Sequence, residues 1–507
     1  MPGAGDQHIR ADRREGGAER RADDSNPRAH LGRAWVKARH VVLLNWRDLE
    51  HPQAGGAEVY CQSVAKELVA AGARVTLVTS RAPGQRRLQT RDGVRIVRAG
   101  GTLGVYAATL SWLLRNRADI DAILDFQNGI PFFSPTVIRP TTPVIAVLHH
   151  VHQEQFGLHF SRPMAALGRA LEGPVSRRVY RGHPVVAISP STREETHRLL
   201  GFRGAIHVVP NGLDVARRTD REARTVTPSI VCVGRLVPQK RLELLLEAVA
   251  EIPAAVGLRV ELVGSGSDRE RLEVVANELG VTDRVAFHGR IEDQARDALL
   301  DRAWLTVNPS AREGWGLSVL EANARGIPAL AYRVPGLRDA VRDGVTGWLV
   351  DPAERLAPAL ATTLELLTDP GTAERYSDEA ISWAASFSWE RTADQLTLML
   401  AVEADHLHRG AERERRSPSN VVTRVDLPSD HETRKLLTEC RRTDGWHVND
   451  RALTGLIYGA DESDATKMLD RLGIDVDAQL SVARGSDLLV VGERTDGRFV
   501  KVSRRAA

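Results

Sequence analysis

Cysteine and lysine are scarce in this chain. Three cysteines, Cys61, Cys232 and Cys440, are scattered through 507 residues, a number and spacing that suit neither a zinc site nor a disulfide framework. A reduced, cytoplasmic setting is the expectation. No uncharged run approaches the ~20 residues that cross a bilayer. The N-terminus lacks the apolar core of a signal peptide, so any membrane contact is expected from the side. A one-sided charge is missing too. With 69 Lys+Arg against 66 Asp+Glu the net charge is +3, which gives no argument for nucleic acid as a partner. Lysine occurs only at Lys37, Lys66, Lys240, Lys435, Lys467 and Lys501, so a lysine inside a motif stands out.

What is present is ordinary for a globular chain: 42% hydrophobic and 27% charged residues, at a length that allows two full domains and something more. Residues 1–37 are rich in Gly, Arg, Asp and Glu, lack periodicity and are expected to be disordered. From residue 40 the text changes. HVVLLNW suits a buried parallel strand, VYCQSVAKELVAAG has helical spacing, and RVTLVTS is the next strand. The alternation runs on through VRIVRA, a helix near 104–116, DAILDF, PVIAVLHH, a helix near 162–181, PVVAIS, a helix from Ser191 and AIHVVPNG. Such steps predict right-handed βαβ units in a doubly wound parallel sheet over 38–212.

The arginine-rich stretch 213–228 reads as a linker, and a second strand–helix series predicts a similar domain over 229–388. Helix 389–406 is expected to return to the first domain, followed by a charged linker at 407–421. Residues 422–507 are expected to form a small α+β unit with helices at 431–442, 449–458 and 462–472 and strands at 486–492 and 498–503. Three helices and a hairpin could make a winged helix, but ESDATKMLDRLG is too acidic for an ordinary DNA-groove reader.

In open α/β sheets, ligands bind beyond the carboxyl ends of the strands. In HPQAGGAE, Gly55 and Gly56 precede a helix, where paired glycines admit a close ligand and free amides favour an anion; a plain tight turn reads the same way. In GRLVPQKR, Arg235 and Lys240 stand at a helix start and oppose its dipole. A phosphate between them would offset that cost, and solvated surface charge is the plainer account. GSGSD begins at Gly264, but Arg269 stands where a dinucleotide fingerprint has its third glycine, which argues against an NAD site.

NPSAREGWGLSVLEANARG puts a strand end near Asn308 and a helix from about Leu317. The amides of Gly316, Leu317 and Ser318 should then point at an anion. Glu313 at the cleft mouth and Glu321 one turn into the helix can each accept hydrogen bonds from the vicinal hydroxyls of a sugar. A capping acid and an exposed glutamate are the plainer account. In VLHHVHQ, His149 and His150 face opposite ways along a strand, poor geometry for zinc. One of them is expected to bond or handle protons in the cleft.

With these loops located, the chain resembles the retaining glycosyltransferases of the GT-B fold, glycosyltransferase family 4, over roughly residues 39–404. GGAE (55–58), GRLVPQK (234–240), VELVGSGSD (260–268), FHGRI (287–291) and E-x7-E (313–321) carry the resemblance, with PNGLD (210–214) at the junction. Each alone is weak; in this order, at the right strand ends, they are specific. The resemblance implies an α/β chain of two Rossmann-like doubly wound parallel-sheet domains facing a cleft, with the C-terminal appendage outside the family core.

It also implies a nucleoside diphosphate sugar as donor. Arg235, Lys240 and the amides of Gly316, Leu317 and Ser318 would take the diphosphate, Glu321 the ribose, Glu313 the transferred sugar, and the Arg290–Ile291 backbone the base. Gly55 and Gly264 would line the site, and Gly56 would close over it from the first domain. His149 matches the family's cleft histidine, so His149, Glu313, Arg235 and Lys240 are the residues expected to act in catalysis. Where the family often has glycine after the cationic pair, this chain has Arg241, which bears on donor fit.

Breaking a glycosyl phosphate bond builds negative charge on the leaving diphosphate, which Arg235, Lys240 and a helix dipole can stabilise. No metal or other cofactor is therefore expected. Retention on one face of the sugar, with the leaving oxygen helping to deprotonate the acceptor, needs no covalent carboxylate. Closure of the domains would exclude water. A glycan phosphorylase would need a pyridoxal lysine, and Lys240 is the second domain's only lysine. A non-catalytic nucleotide-sugar sensor with a C-terminal interaction domain is the alternative.

The motifs leave open the donor (GDP-mannose or a UDP-hexose) and the acceptor (a glycan, lipid-linked or small molecule, with cell-envelope polysaccharide or glycolipid synthesis as the setting). SRPMAALGRALEGPVSRRVYRG could rest on the anionic cytoplasmic face of the inner membrane or be a packed surface helix.

Overall fold

In this computed structural model, residues 29–214, 224–410, 421–428, 445–448, 452–458, 460–471, 474 and 479–484 are described. Strands β1 (His40–Leu44), β2 (Arg74–Thr79), β3 (Leu88–Arg91), β4 (Val94–Arg98), β5 (Ala122–Asn128), β6 (Val144–His150), β7 (Val185–Ala187) and β8 (Ile206–Val208) form one sheet in the order β3-β4-β2-β1-β5-β6-β7-β8. All pairs are parallel except β3–β4. The strands are short and aliphatic because both faces are covered: every residue of β1 is buried. Strand β3 escapes the apolar-run pattern, being a half-exposed edge strand, LQTR. It is joined to β4 by Asp92-Gly93, both at positive φ, the hairpin turn that matches strand twist.

The second sheet comprises β9 (Ser229–Val233), β10 (Arg259–Val263), β11 (Val285–Gly289), β12 (Thr306–Asn308), β13 (Ala329–Tyr332) and β14 (Gly347–Val350). Two three-stranded ladders, β11-β10-β9 and β12-β13-β14, are joined by a parallel bridge between Ile230 and Leu305. The order therefore reverses between β9 and β12, and the loops leaving those two strands open a crevice at that switch point.

Helix Trp389–Gly410 crosses back to the first lobe. Trp389 meets Tyr60 edge to face at 5.6 Å, and Leu396, Met399 and Leu400 are fully buried, each such side chain stabilising by about 1.5–3 kcal/mol. Residues 29–36 correct one expectation. Assigned by composition to an irregular tail, they form a helix, Ala29–Val36. It is too short to persist alone; Arg33 ties it to Glu390 and Asp394 at 2.8 and 2.6 Å. Residues 1–28 and 215–223 lie outside the described residues.

A second correction concerns the expected helix near 162–181. It breaks into Arg162–Ala170, a wider turn Leu171–Val175 holding Pro174, and Ser176–Val179, because proline cannot donate to the helical ladder.

The appendage departs most. The expected helix 449–458 is a strand, β17 (Ala452–Tyr458), in an antiparallel sheet with β15 (Val421–Pro428), β16 (Gly445–Val448) and β18 (Gln479–Arg484), in the order β16-β17-β15-β18. The period is two: Leu453 and Ile457 of β17 and Val425 and Leu427 of β15 point into a core closed by Ala465 and Leu469 of helix Glu462–Arg471. Among the described residues the unit is a four-stranded antiparallel sheet with one helix on it, in place of the expected three helices and hairpin. The expected helix 431–442 and strands 486–492 and 498–503 lie outside the described residues.

Candidate functional site

At the switch point of the second lobe, β9 runs into Gly234 and Arg235, and a 3-10 turn, Pro238–Lys240, leads into helix Leu242–Glu251. Across the switch, β12 runs into the loop 309–316 and helix Leu317–Ala324. The two loops meet. Lys240 Nζ lies 2.5 Å from Glu313 Oε1, and the Ser310 hydroxyl stands 2.7 Å from the same oxygen. Both charged side chains are about one-fifth exposed, so the pair lines the crevice rather than the core.

Gly316 takes φ +81 as the helix cap, a conformation that favours glycine. The amides of Gly316, Leu317 and Ser318 have no partner among the described residues. Trp315, beside them, is turned inward against Phe387 at 5.2 Å. Glu321 makes no hydrogen bond or ion pair among the described residues. Burial pushes its carboxyl up to about 7; Arg296 opposes the rise, and Asp297 and Asp293 add to it.

Arg235 is exposed and also without a partner among the described residues. It faces the first lobe, where an added Cβ on Gly55 would stand 4.0 Å from Arg235 Nη2. Glu58 caps its own helix by accepting from the Gly55 amide at 2.7 Å, and Gly56 faces open space. The paired glycines thus lie opposite the cation, across the gap. Gly264 serves packing: a Cβ there would fall 1.8 Å from the Gly234 carbonyl oxygen, so the GSGSD loop nests on the loop of Arg235. Arg290 and Ile291 follow the end of β11, Arg290 exposed and Ile291 half-buried.

The adjacent histidines part by burial. His149 is 4% exposed, stacked on Phe126 at 5.7 Å and edge-on to Tyr60 at 5.1 Å. Its Nε2 has no partner among the described residues, and burial lowers its pKa to about 3, so the ring is neutral. His150 is half-buried, 4.4 Å from the His152 ring, and beneath Gly314.

Sequence reasoning did not single out Arg312, which joins the lobes. It pairs with Glu195 and lies 3.6 Å from Glu154. Arg338 likewise donates to Ser191 Oγ at 2.9 Å, and Ser191 N to Asp339 at 3.0 Å. Arg47, stacked on Trp46 at 4.1 Å, was also passed over. Its neighbours Glu58 and Arg235 place it at the same gap. An arginine beside each glycine-bearing loop was the available signal.

Two family models divide the chain, "Glycosyltransferase Family 4" over residues 54–217 and "Glycosyl transferases group 1" over residues 217–383. A D-inositol 3-phosphate glycosyltransferase of Acidothermus cellulolyticus is 30% identical over 447 residues, covering 78% of this chain and 96% of that one. Proteins of the same name from Rhodococcus opacus and Nocardia farcinica are 38% and 35% identical, over 41% and 47% of this chain. Those matches span only 51% and 59% of the relatives' own length.

In fold, the chain is similar to a sucrose-phosphate synthase from Thermosynechococcus elongatus (TM-score 0.58, 22% identity, 74% of this chain and 99% of that one). It is also similar to Anabaena Alr3699/HepE in complex with UDP and glucose (TM-score 0.52, 20% identity, 71% and 98%). The chain belongs to the group 1, family 4 glycosyltransferases of the GT-B fold.

Proposed function

We propose that this chain is a retaining hexosyltransferase. It takes a nucleoside diphosphate sugar into the crevice of the second lobe and passes the sugar to an acceptor held by the first. One observation carries the reading. Lys240, Glu313, the amides of residues 316–318, and Arg235 and Glu321, these last without partners among the described residues, converge at one switch point, opposite Gly55–Gly56. Cations and amides suit a diphosphate; the carboxylates suit its two sugars.

In the mechanism we infer, the diphosphate draws Lys240 away from Glu313 and frees that carboxylate for hydroxyls of the transferred sugar. Arg235, Lys240 and the amides stabilise charge developing on the leaving phosphate. This electrophilic role is the one a metal would otherwise fill, and we assign the site no metal. The leaving oxygen accepts the acceptor's proton on the same face of the sugar. Of the two histidines, His150 is the more exposed and is assigned to the sugar, with His149 packed deeper. The Arg312 and Arg338 bridges hold the lobes together around the donor.

UDP is the first donor nucleotide to try, given the UDP complex among the structural neighbours. The relatives' name supports a small phosphorylated polyol as acceptor. A lipid-linked acceptor is the second reading, favoured by one observation: Met164 and Leu167 of helix Arg162–Ala170 are 44% and 51% exposed, Phe160 just before that helix is 47% exposed, and Arg162, Arg169 and Arg178 in the same stretch are exposed. Such a stretch fits an anionic bilayer surface. We place the reaction in the cytoplasm.

The test is a panel of GDP- and UDP-sugars, scored by thermal stabilisation and then by nucleoside diphosphate release with each acceptor class. Release that depends on acceptor is the expected result. Binding without release under every acceptor would leave the sensor reading.

A further inference from the structure

Arg241 is one of four non-glycine residues at positive φ among those described, at φ +48 and ψ +41. It also stands at the N-cap of helix Leu242–Glu251, where a cation opposes the dipole. A residue in that conformation and place is doubly disfavoured. Its side chain shows what offsets this. Nε donates to the Pro309 carbonyl at 3.0 Å, and Nη2 to the Ser310 carbonyl at 3.2 Å. The guanidinium lies 5.0 Å from the Tyr332 ring centroid, a cation–π distance. The planar fork thus spans two consecutive carbonyls, a geometry that lysine's point charge does not reproduce.

The neighbouring residues continue the pattern. The Ala311 amide donates to the Gln239 carbonyl at 2.9 Å, and Gln239 Nε2 donates to the Arg312 carbonyl at 3.0 Å. Lys240 then meets Glu313. Residues 309, 310, 311, 312 and 313 are therefore each held, one after another, by residues 239–241. This segment presents Glu313 to the crevice, with the buried Ser310 hydroxyl bracing its carboxylate, and Arg312 to the first lobe.

We propose that Arg241 is a positioning residue: it fixes the register of the 309–313 loop so that the Glu313 carboxylate meets the transferred sugar. The inference rests on the donor reading above for the sugar, and on the hydrogen-bond ladder alone for the register.

Arg241→Gly is the decisive variant, because glycine relieves the positive φ and removes the cation from the helix start. If the site matters only for backbone conformation, Arg241→Gly keeps its melting temperature and full turnover. If Arg241 positions the loop, Arg241→Gly keeps its melting temperature but loses about 30-fold in kcat, with donor KM within about 3-fold. Arg241→Lys then recovers only part of the loss, and Gln239→Ala loses turnover in the same pattern.

Hydrogen exchange at residues 310–313 is read in parallel, with about a 10-fold acceleration expected in Arg241→Gly. Unchanged exchange there, or unchanged kcat in a parent that turns over, overturns the proposal. A parent that turns over no nucleotide sugar overturns the donor reading instead, and the exchange result still decides the register.

Discussion

Lys240 and Glu313, which lie 73 residues apart in sequence, meet at 2.5 Å where the loops of β9 and β12 cross the switch point. The ion pair ties the two loops together and keeps both charges at the crevice wall. Lys240→Ala is expected to cut kcat/KM by about 100- to 1,000-fold, as loss of one electrophilic donor does. Lys240→Arg should restore part of it. Steady-state kinetics at saturating acceptor check this; turnover equal to the parent's would remove Lys240 from the mechanism.

If Glu321 takes the donor's ribose as proposed, donor binding is expected to depend on pH. Its carboxyl is raised to about 7 chiefly by burial, and hydrogen bonds from a ribose diol favour the ionised form. Donor binding should therefore release a proton below pH 7, and affinity should rise as pH climbs from 6 to 8. Calorimetry in buffers of different ionisation enthalpy reads the release directly. Glu321→Gln should bind more weakly and without that slope.

Asp461 and Glu462 pin the appendage to the first lobe. Asp461 accepts from the Ile206 amide at 3.4 Å and Glu462 from the Val208 amide at 3.3 Å, at the sheet edge β8, with Arg193 and His197 alongside. Burial opposes ionisation of Asp461, but His197 and Arg193 outweigh it and hold the carboxyl down at about 2. Asp461 in turn raises His197 above its ordinary 6.5, ahead of the opposing effect of burial. The His197 contribution is full below pH 6.5 and is lost as pH rises through its raised value. The Asp461 contribution is full above its ordinary 3.8 and is lost as pH falls toward 2. Docking should be tightest near pH 5–6. Hydrogen exchange at residues 206–208 against pH checks it, and His197→Ala should abolish the alkaline limb.

The loop before Gly55 hangs on a buried ion pair. Arg98 is fully buried and pairs with Asp48, itself 2% exposed, and reaches Glu50 at 2.9 Å. Removing Asp48 takes away the buried carboxylate and leaves Arg98 with the partly exposed Glu50, so Asp48→Ala is expected to destabilise the fold by about 1.5–3 kcal/mol. Urea melts report the loss. A change below about 1 kcal/mol would show that water reaches Arg98.

The stretch holding Phe160, Met164 and Leu167 is expected to co-sediment with vesicles rich in phosphatidylglycerol and not with phosphatidylcholine alone. Substituting Arg162, Arg169 and Arg178 together by Ala should abolish that binding while turnover of a soluble acceptor is unchanged. Equal sedimentation with both lipids would remove the charge argument.

Much of this was legible beforehand, for local reasons. Apolar runs alternating with helical spacing announced parallel sheets because both faces of each strand had to be covered. GGAE, Arg235, Lys240 and E-x7-E were conspicuous because glycines and charges are costly at helix starts unless a ligand uses them. The misses have physical causes as well. Strand β17 was read as helix although its Leu453 and Ile457 follow period two. The helix Ala29–Val36 follows a polar, aperiodic stretch, is too short to signal itself, and is held by packing on helix Trp389–Gly410 as well as by Arg33 with Glu390 and Asp394. Local pattern could not tell the surroundings of His149 from those of His150; burial separates them, with His149 4% exposed and His150 half-buried.

By itself the sequence determined the two wound sheets and the loops that carry the charged residues, since hydrophobic period and strand-end chemistry are local properties. Tertiary structure alone decided which of those loops touch. It set Lys240 on Glu313, left Arg235 and Glu321 without partners among the described residues, and turned Arg241 from an odd residue at a glycine-like position into the clasp of a neighbouring loop. Contacts between strands 73 residues apart depend on strand order, and strand order is fixed only when the whole sheet closes on its core.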